Sequence, residues 1–155
     1  MDTNVILVTV TMLACTSMLV LILGTSVHQS IAAMSMQAFK QAKVMMEGVC
    51  QPRTGVSKEF MSQLRKGEFP ETDDRRLKCY FECILRMGRV MQGTKVSTES
   101  MRRLARTMLP TQLKPLVMPS IDACQDIDEG EACDTAYTFA KCHHKFSGAE
   151  GFMFS

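Results

Sequence analysis

Six cysteines, Cys50, Cys79, Cys83, Cys124, Cys133 and Cys142, carry most of the covalent chemistry open to this chain, with a seventh, Cys15, standing apart in a long uncharged stretch. Such thiols bind zinc or pair as disulfides. Structural zinc sites usually present two short C-x(2–4)-C pairs in loops. Here a single C-x3-C, Cys79 with Cys83, falls inside a strong helical pattern, which favours disulfides. Two residues four apart on a helix project from one face and are poorly placed to bond each other. Each should therefore take a partner from another segment, and several pairings remain open. His143 and His144 are adjacent and do not share a helical face, which argues against a metal site. No G-x-S-x-G, H-E-x-x-H or phosphate-cradling loop is present, so the sequence offers no catalytic residue and implies no cofactor.

The elements that position these groups follow from the apolar pattern. The chain has 155 residues, 46% hydrophobic and 22% charged, with a formal charge of +2, which places it among globular rather than disordered sequences. Residues 5–23 contain no charge, small residues follow, and the first basic residue is Lys40. This reads as a signal peptide over residues 1–33 rather than a membrane anchor, leaving a domain of residues 34–155. Cys15 leaves with the leader. An even set of six cysteines in a secreted chain implies three disulfides.

Within 34–155 the periodicity predicts an all-α domain of six short helices. The first covers about 35–47, with Met36, Phe39, Lys43 and Met46 on one side and Gly48 and Pro52 as its stop. Ser57 caps the second, which Gly67 ends. Asp73 and Asp74 open the third, over about 73–92, where Lys78, Glu82, Arg86 and Arg89 form a narrow polar stripe on an otherwise apolar surface. Ser97 or Thr98 caps the fourth, with Met101, Leu104, Ala105 and Met108 inward. A fifth reaches Cys124, and a sixth runs from about Glu131 to Lys145. A domain of this size builds an adequate core without covalent clamps. Three disulfides suggest that part of the interior is empty or fluid.

Charge is segregated. Residues 75–106 hold nine Lys or Arg against two acids, and residues 122–134 hold six acids and no base. This reads as solvated helix faces, with contact to an acidic surface as the functional alternative. Nucleic acid is excluded as a partner by the secreted character and the lack of interleaved aromatics.

The spacing Cys50-x28-Cys79-x3-Cys83-x40-Cys124-x8-Cys133-x8-Cys142 resembles the six-cysteine signature of insect odorant-binding and pheromone-binding proteins, as do the runs LKCYFEC and CDTAY. The resemblance covers 34–155. It implies six helices around an apolar cavity, stapled by interlocked disulfides Cys50–Cys83, Cys79–Cys133 and Cys124–Cys142. It further implies a secreted carrier of small hydrophobic ligands, such as odorants, pheromones or fatty alcohols, esters and aldehydes. Delivery to an odorant receptor or a sensory-neuron membrane protein, and a homodimer, are part of the same expectation. The alternatives are non-olfactory ligands on the same scaffold, or a cationic secreted interaction or antimicrobial protein.

The expected cavity residues are Leu85, Val90, Met91, Met101, Ala105, Leu109, Val117, Met118, Ala136, Phe139 and Ala140, with His143, Phe152 and Phe154 as a lid. Leu85 and Val90 stand where alcohol-binding relatives place hydroxyl side chains, which predicts a drier pocket. Eleven methionines after residue 33 suit a wall that reshapes around its guest. His143 and His144 read as a solvated pair at a helix end. The alternative sets His143 against the tail, where protonation loosens the lid and promotes release in acid.

Overall fold

A computed structural model describes residues 33–154. The expected leader, apart from Ala33, lies outside the described residues. Helix α1 spans Met36–Thr54, α2 Lys58–Arg65, α3 Arg75–Met87, α4 Thr98–Met108, α5 Lys114–Ala123 and α6 Ala132–Gly151. A two-residue hairpin, β1 Met91–Gln92 against β2 Lys95–Val96, joins α3 to α4. Among the described residues no helix is long and apolar enough to cross a membrane.

The helix starts are local chemistry. Ser35, Ser57, Asp74 and Ser97 each turn a side-chain oxygen back onto an otherwise orphaned N–H in the first turn of α1, α2, α3 and α4. The carboxylate of Glu131 does the same for Cys133 and Asp134 at the start of α6.

The helix ends depart from the sequence reading at three places. α1 does not stop at Gly48 but continues through Pro52 to Gly55, whose φ of 68° closes the helix in the left-handed region. Pro52 removes one backbone bond, but Cys50 is fully buried and bridged to α3, so tertiary anchoring retains the last turns. α3 ends at Met87 rather than near residue 92. Arg89 adopts a φ of 56°, and Gly93 supplies the hairpin turn instead of a helix end. α6 passes Lys145 and breaks at Gly148, whose φ of 65° redirects the chain so that the tail folds back.

Three disulfides lock the helices: Cys50–Cys83 joins α1 to α3, Cys79–Cys133 joins α3 to α6, and Cys124–Cys142 ties the end of α5 to α6. Cys79 and Cys83 thus serve different partners from one face of α3. The core lies where α3 and α5 pack on α6, with Leu77, Phe81, Val117, Ile121, Ala136, Phe139 and Ala140 buried there.

The two oppositely charged segments meet through four ion pairs among the described residues. Arg75 pairs with Glu131, Lys78 with Asp134, Lys95 with Asp128, and Arg102 with Asp122. Charge that is segregated in sequence is therefore matched in space, and neither reading made from sequence anticipated that. Pairs at the surface are individually worth about 0–1 kcal/mol, so they orient segments more than they stabilise them.

Candidate ligand-binding site

The helices do not fill the space between α1, α3 and α4. A cavity of about 210 Å³ remains, and all its walls are apolar. Met34 and the α1 residues Phe39, Ala42 and Met46 form one side. Ile84, Leu85, Gly88 and Val90, at the end of α3 and just beyond it, form the floor. Met101, Leu104, Ala105, Met108 and Leu109 of α4 and its exit face them, and Met153 and Phe154 of the tail close the remaining end. Leu104 and Met108 are also partly exposed, which places the mouth along the outer edge of α4. Gly88 has a helical φ of −73°, and a Cβ there would stand 3.7 Å from Leu104 Cδ2, an ordinary contact. Its lack of a side chain keeps wall space open.

Of the residues expected from sequence, Leu85, Val90, Met101, Ala105, Leu109 and Phe154 stand in this wall. The others do not. Val117, Ala136, Phe139 and Ala140 are buried in the core, Met91 in the hairpin, and Met118 packs half-buried against that core. The physical reason is that α6 packs directly against both α3 and α5 and leaves no gap, so the apolar faces of α5 and α6 are spent there. The wall residues of α1 were missed, although Phe39, Ala42 and Met46 have the i, i+3, i+7 spacing of one helical face. They are only half-buried, since they face a void.

His143 and Phe152 lie behind the wall. Both are buried, so the reading of His143 as one of a solvated pair is wrong. Fold-back of the tail is the cause: the His143 ring lies 5.3 Å from that of Phe154 and 6.1 Å from those of Phe152 and Phe139. Phe154 thus touches both the histidine and the cavity. Ser147 Oγ is 3.0 Å from His143 Nδ1, and Nε2 has no hydrogen-bond partner among the described residues. Burial, assisted by the neighbouring His144, pushes the imidazole pKa down to about 4. His144 meets Phe152 edge-on at 4.9 Å, with its Nε2 lying 2.8 Å from the Gly67 carbonyl.

The tail is held by rings and by two polar contacts. Phe69 stacks on Phe81 and meets Phe152 edge-on. Lys43 Nζ donates to the Phe152 carbonyl and the Tyr80 hydroxyl to the Phe154 carbonyl, each at 3.4 Å. Among the described residues no cluster of three metal-ligating side chains occurs. The arrangement can exclude water and accept an apolar guest, and it presents no nucleophile or acid–base pair to it.

Comparison with known proteins matches residues 32–146 to the PBP/GOBP family. General odorant-binding protein 72 of Anopheles gambiae is 32% identical over 99 residues, covering 63% of this chain and 80% of that protein. The crystal structure of odorant binding protein 4 of the predator Chrysopa pallens superposes with a TM-score of 0.70 at 29% identity, covering 79% of this chain and 99% of the other. Odorant binding protein 7 of Anopheles gambiae, which has four disulfide bridges and was solved with an azo compound, gives a TM-score of 0.57 at 25% identity, covering 72% and 86%.

Proposed function

The chain belongs to the PBP/GOBP family, and on that premise we propose that it is a secreted carrier that takes small hydrophobic odorants or pheromones into the cavity between α1, α3 and α4 and delivers them to chemoreceptors. The observation that carries this reading is a void of about 210 Å³ without one polar side chain in its wall. A dry apolar void of about 150 Å³ is enough to bind benzene, so this one takes a somewhat larger guest without rearrangement. Transfer from water contributes about 0.8 kcal/mol per buried CH₂. Met34, Met46, Met101, Met108 and Met153 supply flexible wall, which extends the range to longer chains. The azo compound held by the Anopheles relative supports the same use of the scaffold. The uncharged leader and the three bridges support secretion. The ion pairs between the basic and acidic segments weigh against a protein that acts through a bare cationic face.

Titration of residues 34–155 with the fluorescent apolar probe N-phenyl-1-naphthylamine tests the reading. The expected result is saturable one-to-one binding in the micromolar range, reversed by medium-chain odorants. A folded protein, with its bridges intact, that gives no saturable signal would refute it.

A further inference from the structure

Beside the main cavity lies a narrower cleft that shares Met46, Ile84, Met153 and Phe154 with it and adds Lys43 and Tyr80. The cleft is too tight to admit a water molecule as it stands. Its two polar groups are both hydrogen-bond donors, and both are spent on carbonyls of the tail, those of Phe152 and Phe154, at the long distance of 3.4 Å. Bonds of that length are at the weak end of the range.

We propose that this cleft is the head-group subsite of the carrier: a ligand whose chain fills the main cavity places a carbonyl oxygen, from a ketone, aldehyde, ester or carboxylic acid, against Lys43 Nζ and Tyr80 Oη, taking over donors that the tail carbonyls hold weakly. The inference rests on the carrier reading and adds the chemical class of its cargo. The main wall has no polar side chain, so an oxygen-bearing ligand finds a partner only where the wall ends, and these donors stand at that end. An ammonium carries three donors, so Lys43 can accept the newcomer without giving up every other contact. Tyr80 is buried and Lys43 half-buried. Burial lowers the Lys43 pKa, opposed by Glu47 and assisted by Lys40, and burial raises that of Tyr80, with Glu47 acting in the same sense. A hydrogen bond made there is stronger than one at the surface. Entry requires Met153 and Phe154 to shift, and the flexible thioether of Met153 makes the first step inexpensive. Head-group binding and loosening of the tail are then one event.

The test is displacement of N-phenyl-1-naphthylamine by octane, 1-octanol, 2-octanone and octanoate, read as the ratio of each affinity to that of octane within the same protein. The ratio of 2-octanone to octane affinity should be about tenfold higher in the wild type than in a variant lacking a donor, the worth of one hydrogen bond. In Lys43→Met and in Tyr80→Phe the ratio should fall by about that factor, since the ketone oxygen is then buried without that donor. The octanoate arm separates sources: an added preference over 2-octanone that vanishes in Lys43→Met identifies free acids as cargo, and its absence identifies neutral carbonyl compounds. Tyr80→Phe removes a single oxygen, so it keeps the test alive where Lys43→Met fails to fold. A ratio that survives both substitutions overturns the proposal and leaves the carrier reading intact. Failure of every ligand to displace the probe, or of the probe to bind at all, removes both readings.

Discussion

Acid should destabilise this protein through a buried side chain, His143, in addition to its paired surface carboxylates. In the unfolded chain its imidazole titrates at 6.5, and in the fold at about 4, because protonation would place a charge among Phe139, Phe152 and Phe154. Above pH 6.5 the ring is neutral in both states and contributes its full packing. Between pH 6.5 and about 4 the unfolded chain binds a proton that the fold refuses, so stability falls as pH falls. Below about pH 4 both states are protonated and the loss is complete. A shift of about 2.5 units at 1.36 kcal/mol each amounts to ~3 kcal/mol. The polar groups packed against the tail are His144 on α6, Lys43 on α1 and the Tyr80 hydroxyl on α3. All remain in the variant His143→Phe, so their contributions cancel in the comparison. Urea unfolding of both proteins from pH 7.5 to 3.5 supplies the assay. The wild type should lose ~3 kcal/mol more than His143→Phe across the window, and its probe affinity should fall only as the pH nears 4, where the folded ring itself takes up the proton beside Phe154, which the histidine contact and the cavity wall share. Parallel stability curves for the two proteins would refute the reasoning. Because the folded ring stays neutral until the pH nears 4, mild acidification to pH 6 should leave the lid almost unchanged even though stability has begun to fall.

Other perturbations have expected outcomes. Gly88→Leu puts a four-carbon side chain on the wall without backbone strain, so probe affinity should drop at least tenfold while the melting temperature holds or rises. Gly67→Ala sets a Cβ 2.5 Å from that of Ala149 at a φ of 78°, and calorimetry should show a loss of ~2 kcal/mol or more, only partly recovered by adding Ala149→Gly. Removing Cys79–Cys133, which spans 54 residues, should cost about 4 kcal/mol, and removing Cys124–Cys142, which spans 18, about 3 kcal/mol, measured by denaturant unfolding of the paired alanine variants.

Much of the fold can be read directly from residue types. Ser57, Asp74 and Ser97 mark helix starts because capping is a bond between neighbours, and no tertiary contact is needed to form it. The apolar girth of α3 shows that it is wrapped on most sides, and Leu77, Tyr80, Phe81, Ile84 and Leu85 are indeed buried. Helix ends were less legible. Pro52 and Gly48 signal a stop, yet the bridge from Cys50 holds α1 past both, a long-range constraint that outweighs local preference.

The cavity divides differently. That an apolar interior exists follows from the amount and periodicity of apolar residues, and that it is clamped follows from the cysteines. Which of those residues face the void was decided by packing. Leu85 and Phe139 are chemically equivalent choices for a buried position, but Leu85 meets empty space and Phe139 meets α6's neighbours. A hydrophobic pattern records only that a side chain avoids water, and a void and a packed core satisfy it equally well. The same limit applies to His143, whose environment was created by a tail that returns only because Gly148 bends the chain there.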